Sequence, residues 1–215
     1  MKRRDILRTS LVLPIAAAMS GLGVNGLAFA APRARVRPGE RGWPSAAEWE
    51  RLRARVDGRL VKPVSPFSGC APSSETCATA LKYIGNPYYV GDEVALTQTS
   101  GWMGAWQSHP SAYAVAAENT ADVVTAVSFA RQHNLRLVVK GGGHSYQGTS
   151  NAPDSLLVWT RHMNAVSLHD AFVGQGCEGK QPPQPAVSVQ SGAMWVDAYH
   201  AVTTSASSRP AAAVP

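Results

Sequence analysis

The 215-residue chain is 45% hydrophobic and 16% charged, a globular composition that excludes a disordered protein and a length that excludes a large multidomain enzyme. Its formal charge of +6 lies wholly in residues 1–41, which hold eight bases and two acids, while the remaining twelve bases and twelve acids cancel. A neutral body behind a basic leader lacks the charged face of a nucleic-acid binder, so no nucleic-acid partner is expected.

The leader begins with a charged stretch, Lys2-Arg3-Arg4-Asp5-Ile6-Leu7-Arg8. A weakly apolar run rich in Ala and Gly follows from Ser10 to Phe29, and Ala28-Phe29-Ala30 closes it with a small-x-small cleavage pattern. The pair Arg3-Arg4 followed by Ile6-Leu7 and a base resembles the twin-arginine signal, whose pathway exports folded proteins. Glycines, serines and Pro14 make the run a poor membrane-spanning helix. Residues 1–30 therefore read as a signal peptide with no stable membrane insertion after cleavage, and the mature protein is expected in the periplasm or outside the cell. Residues 31–44 read as a disordered basic spacer, because Pro32 and Pro38 interrupt any amphipathic pattern.

Ser45 and Glu48 have the spacing of a capping box, and Trp49, Leu52 and Val56 recur at helical period, which predicts a helix from about 45 to 57. Arg59 to Val64 reads as a short strand. Residues 65–110 are rich in Ser, Gly and Pro, with one helix predicted near Glu75 to Tyr83, so 45–108 form an irregular N-terminal lobe. Cys70 and Cys77 can pair across a short loop, but Cys177 makes three cysteines and the sequence does not choose between the pairings.

From Ser111 the pattern changes. Tyr113 to Ala117 is an apolar strand, and Asn119 or Thr120 caps a helix whose apolar face is Val123, Val124, Val127 and Ala130. Leu135 to Val139 is the next strand. A glycine loop follows, and then two further strands, Leu156 to Trp159 and Ala186 to Val189, with a polar insert containing Cys177 before the second. Trp195 to Val202 is predicted helical. The order strand, helix, strand, glycine loop, strand, strand, helix is an α+β nucleotide-binding layout. His109, His133, His162, His169 and His200 lack compact ligand spacing, so no metal site is expected. Trp102, Trp106 and Trp195 read as packing residues.

The loop itself reads Lys140-Gly141-Gly142-Gly143-His144-Ser145-Tyr146-Gln147-Gly148. Three glycines after a buried strand free the backbone to approach a ligand closely, and successive N–H groups in such a turn form a concave anion site that suits a pyrophosphate. A P-loop is excluded, because Thr149 stands where the phosphate-binding Lys belongs. The dinucleotide G-x-G-x-x-G spacing is excluded too, because Tyr146 occupies its last glycine.

Val139 to Tyr146 resembles the pyrophosphate loop of FAD-linked oxidases of the vanillyl-alcohol oxidase (PCMH-type) superfamily, specifically the berberine-bridge-enzyme-like group. Glu118 to Val123 is similar to the helix start before that loop, Trp159 to Asn164 to its following strand and turn, and Val189 to Trp195 to the next strand and helix start. The likeness covers about 105–204. The resemblance implies FAD as cofactor, attached covalently to His144. The backbone of Gly141, Gly142, Gly143, Ser145 and Tyr146, with Gly148 closing the loop, would lie against the diphosphate. Lys140 stands where many relatives carry Arg and would pair with a phosphate. It also implies oxidation of a sugar, alcohol or amine carbon of a small-molecule substrate, with oxygen as acceptor.

The fold class implied is the N-terminal part of a PCMH-type FAD-binding domain over 109–204. After Thr204 the residues 205–215 read as a low-complexity tail, where the family continues into a glycine-rich segment with a cysteine and a substrate domain. The expectation is a C-terminally truncated chain, with a non-catalytic remnant as the alternative to an active oxidoreductase. No catalytic base is assigned, neither Tyr146 nor Glu118.

Overall fold

The structure, a computed structural model, describes residues 34–71, 73–100, 102–104 and 109–208. The expected signal peptide over 1–30, the first residues of the spacer, Trp106 and the end of the tail from 209 lie outside the described residues. The helices and strands all belong to the unit that begins at Arg35.

The spacer is not disordered over its second half. Val36 bridges Leu135 in parallel, its N–H donating to the Asn134 carbonyl (3.1 Å), and the Arg35 guanidinium donates to Asn134 Oδ1 (2.9 Å). Trp43 packs on Trp49 with ring centroids 5.6 Å apart. Prolines barred a helix here but not an extended strand-like run.

Helix α1 (Ala46–Arg55) starts with the expected capping box: Ser45 Oγ accepts from the Glu48 N–H, and Glu48 Oε2 accepts from the Ser45 N–H. Strand β1 is only Leu60–Val61, shorter than expected. Helix α2 (Glu75–Tyr83) falls where predicted, and Cys70 pairs with Cys77 across the loop that leads into it, leaving Cys177 free. A further short helix, α3 (Pro87–Asp92), was not anticipated. Asn86 caps it, its Oδ1 accepting from the Tyr88 N–H (2.9 Å), and Pro87 sits at the first helical position, where its missing donor costs nothing.

Strand β2 (Tyr113–Ala116), helix α4 (Thr120–Gln132), strand β3 (Arg136–Lys140) and strand β4 (Ser155–Trp159) follow. The sheet runs in the order β1-β2-β4-β3. β2 and β3 are both parallel to β4, in register Tyr113↔Leu156 and Arg136↔Ser155, while β1 is antiparallel to β2. All five residues of β4 are buried, the expected result for a central strand covered on both faces.

Alternation along the strands divides the core in two. Val115, Leu156 and Val158 face α1 and α4, packing with Trp49, Leu52, Val56, Phe129 and Ala130. Ala114, Ala116, Leu157 and Trp159 face the other way, packing with Val94 of the segment after α3.

Helix α4 is capped by Asn119, but its buried face is Asp122, Ala126, Phe129 and Ala130, and Val124 and Val127 are exposed. Of the expected apolar face, Ala130 is buried and Val123 packs half-buried against the core, while the placement of Val124 and Val127 is corrected. Asp122 fixes the rotation: its carboxylate accepts from Arg59 Nη2 (2.7 Å) and Nε (3.2 Å) and from the Glu118 N–H (3.0 Å). Burial alone would raise the Asp122 pKa, yet these donors favour the anion and the net shift is downward.

After β4 comes an antiparallel hairpin, β5 (Val166–Phe172) and β6 (Gln184–Val189), with Leu168 opposite Val187. Only β6 was expected. Helix α5 runs over Trp195–Ser208, four residues into the stretch read as a low-complexity tail. No helix among the described residues is long and apolar enough to cross a membrane.

Candidate functional site

The glycine loop leaves β3 at the C-terminal edge of the parallel strands, the edge at which open α/β sheets bind ligands. Its shape depends on missing side chains. A Cβ on Gly141 would stand 2.6 Å from the Ser191 carbonyl oxygen, and one on Gly142 would stand 2.8 Å from both Cδ2 and Nε2 of His144. Gly143 has φ +78°, a left-handed conformation, and its Cβ would meet Lys140 Cε at 3.0 Å. Among the described residues, the main-chain N–H groups from Gly141 to Ser145 meet no acceptor. Free donors on a backbone that is glycine at three of these five positions fit a diphosphate.

Two other backbone segments close on the loop. The Thr160 N–H donates to the Lys140 carbonyl (2.8 Å), and the Ser191 carbonyl lies against Gly141, in a turn held by the Gly192 N–H donating to the Met163 carbonyl (2.8 Å). Gly192 packs so tightly that a Cβ there would enter the carbonyls of Thr160 and Arg161. Arg161, buried, ties this turn to α3: Nη1 donates to the Gly192 carbonyl (2.8 Å), and Nε donates to Asp92 Oδ1 (2.7 Å). The turn Gln190-Ser191-Gly192-Ala193 was legible as a family segment, but the need for glycine at 192 follows only from this three-way approach.

Of the candidate site residues, the structure gathers Gly141, Gly142, Gly143 and His144 at the strand ends. His144 is exposed, with Nδ1 3.2 Å from Gln98 Oε1. Ser145 is engaged within the loop, its Oγ accepting from the Thr149 N–H (3.1 Å) and lying 2.7 Å from Thr149 Oγ1. Gly148 turns the chain at φ +70°, its N–H donating to the Ser145 carbonyl (3.1 Å). Tyr146 is exposed against Trp102, with ring centroids 5.7 Å apart. Trp102 and Trp195 are therefore not core residues; Trp195 is 74% exposed and leans on Tyr199.

Lys140 lies beneath the loop at 1% exposure. Its ammonium donates to the carbonyls of Val90 (2.9 Å) and Glu93 (2.5 Å) and sits 6.0 Å from the centre of the Trp159 ring. Burial pulls its pKa down to about 7, against the opposing pull of the Glu93 and Asp92 carboxylates. It joins the end of β3 to α3 and supports the loop from below, a geometry the sequence did not reveal because Lys is seldom fully buried.

No group of His, Cys, Asp or Glu among the described residues could hold a metal ion. Parallel strands that end on a glycine-rich loop with free N–H donors suit a nucleotide-cofactor-binding domain.

Comparison with known proteins specifies the class. Residues 110–210 match the family described as FAD binding domain. The FAD-linked oxidoreductase easE of Claviceps fusiformis is 31% identical over 193 residues, covering 78% of this chain and 33% of its own length. The FAD-linked oxidoreductase malF of Malbranchea aurantiaca is 31% identical over 186 residues, covering 77% and 32%. The solved VAO-type flavoprotein MtVAO713 of Myceliophthora thermophila C1 superposes with a TM-score of 0.68 at 21% identity, over 81% of this chain and 34% of that one, and so shares the fold. The chain belongs to the family of FAD-linked oxidoreductases that it matches, and its cofactor is FAD; with the VAO-type flavoproteins it shares the fold. It spans about a third of the length of the curated relatives it matches.

Proposed function

We propose that the chain serves an exported, berberine-bridge-enzyme-like oxidoreductase that carries FAD bound covalently to His144 and oxidises a sugar, alcohol or amine carbon. The N–H groups of Gly141 to Ser145 hold the diphosphate, and the His144 imidazole forms the tether. When bound, FAD supplies hydride acceptance from a substrate carbon and electron transfer to oxygen. This chain's own residues bind and orient: the glycines let the backbone close on the diphosphate, while Lys140 and Arg161 anchor α3 behind it. The export reading rests on the Arg3-Arg4 leader, and a tether that survives folding prevents cofactor loss during transport.

The observation that carries the reading is the exposed His144 at the rim of a loop whose N–H groups lack acceptors. The test is flavin fluorescence of the acid-denatured chain on a gel. The expected result is a fluorescent wild-type band and a dark His144→Ala band. A dark wild-type band removes the covalent reading and favours a non-catalytic remnant; a bright His144→Ala band moves the tether elsewhere.

A further inference from the structure

Lys140 is a buried cation whose hydrogen-bond partners are neutral. Its ammonium donates to the carbonyls of Val90 and Glu93, at the C-terminal end of α3, and among the described residues it forms no ion pair. Charged and titratable groups face it from each element packed around the end of β3. Asp92, Glu93 and Tyr89 come from α3 and the residue after it, and the Asp92 carboxylate is already engaged by Arg161 Nε (2.7 Å). Arg161 follows β4, and beside it His162 sits edge-on to the Trp159 ring, with centroids 4.7 Å apart. His144 lies on the loop itself. The Glu93 and Asp92 charges favour the ammonium, but burial outweighs them and lowers the Lys140 pKa to about 7.

The end of this side chain also underlies the glycine loop. Lys140 Cε stands 3.0 Å from where a Gly143 Cβ would be, so the lysine packs directly against one of the five residues whose N–H groups meet no acceptor. A diphosphate on those N–H groups brings negative charge to the same loop. Covering the loop removes water as well, which by itself disfavours a cation. At 1% exposure, however, Lys140 has almost no hydration left to lose, whereas the new charges act across protein, where screening is weak. The attraction therefore wins, and the ammonium form is favoured.

We infer that FAD binding is coupled to proton uptake: as the diphosphate settles on the N–H groups of Gly141 to Ser145, Lys140 takes a proton from solvent and becomes its buried counter-ion without touching it. The inference rests on the diphosphate placement proposed above and adds the proton that accompanies it. Below about 7 Lys140 is charged before FAD arrives and no proton moves. Above that value the flavin-free chain holds the neutral amine, and each FAD that binds brings one proton with it. By linkage the FAD dissociation constant then rises toward about tenfold per pH unit.

Three measurements on the full, flavin-free chain test this. First, NMR of protein labelled in its lysine side chains, with the Lys140 signal assigned through bonds to its own amide, should show Lys140 titrating near neutral pH and moving to higher pH when FAD saturates the chain. Second, calorimetric titration with FAD at about pH 8.5, in two buffers of different ionisation enthalpy, should find close to one proton taken up per FAD. His144→Ala should keep that uptake, which excludes the imidazole as its source. Lys140→Arg, permanently charged, and Lys140→Met, never charged, should both lose it. Third, the wild-type dissociation constant should rise about tenfold between about pH 8 and pH 9 and stay flat in both Lys140 variants. A Lys140 signal that titrates at the ordinary lysine value without FAD, or that FAD leaves unmoved, overturns the inference. Uptake that survives in both Lys140 variants, or vanishes in His144→Ala, overturns it too. The amide signals of Gly141 to Ser145 separate the two readings: if FAD leaves them unshifted, the diphosphate placement fails and the coupling with it. If they shift and no proton is taken up, the placement stands and the coupling alone fails.

Discussion

Strands β4 and β5 are separated by one short turn and differ in how they dispose of apolar surface. β4 is central, parallel to both neighbours, and buried at every residue. β5 pairs only with β6, and the hairpin leaves Leu168, Phe172, Val187 and Val189 exposed, with Trp195, Val196, Tyr199 and Val202 of α5 beside them. The first region completes its own packing, and it is the region from which the glycine loop is suspended. The second holds its strands together by ladder hydrogen bonds and draws little from burial. Pre-organisation of the loop therefore depends on β2, β3, β4 and the α3 segment, and beyond the hairpin only on the turn from Ser191 to Met194.

Substitutions should separate the two regions. The largest effect is expected for Leu156→Ala, which empties a fully buried site between β4 and α4 and should cost about 2–5 kcal/mol in chemical denaturation. A cost under about 1 kcal/mol would show that the parallel sheet is not the stable region.

Lys140 gives the next largest effect, visible as a pH dependence. Burial holds the folded pKa at about 7, below the ordinary lysine value of 10.5. Between those values the unfolded chain binds the proton and the folded one releases it, so stability rises with pH through that window, by on the order of 1 kcal/mol per pH unit. Below about 7 both states are protonated and the burial penalty stays in full. Lys140→Met should flatten this rise in thermal unfolding, and identical pH profiles for the two proteins would refute it. The smallest effect is expected for Leu168→Ala: at 44% exposure it should change stability by no more than about 0.5 kcal/mol. A cost near that of Leu156→Ala would mean that the hairpin is packed in solution.

The same contrast explains what the sequence revealed. α1, α2, β2, β3 and β4 follow from local signals, a capping box, a helical period or a short apolar run; the glycine loop was legible because backbone freedom is a property of single residues, and the role expected of His144 came from the family resemblance. The face of α4 was misjudged because valines mark an apolar stripe only when nothing polar is buried, and Asp122 is held inside by Arg59, sixty-three positions away. β5 was missed because His169 and Asp170 interrupt its alternation, which an exposed hairpin tolerates. Gln98, Arg161 and Gly192 could not be found by spacing, since each acts through a contact with a distant segment. Lys140 was expected as a phosphate partner from the resemblance, where many relatives carry Arg, but its ammonium turns instead to the Val90 and Glu93 carbonyls, a tertiary fact.

The tether proposed for the cofactor turns on His144, at the rim of the glycine loop, being the residue that carries it. Peptide mapping of the FAD-treated chain by mass spectrometry decides this. The expected result is one FAD added to the peptide that contains Gly141 to Tyr146, with the fragment series placing it on His144. Flavin on another residue, or an unmodified peptide from a preparation that holds FAD, would refute it.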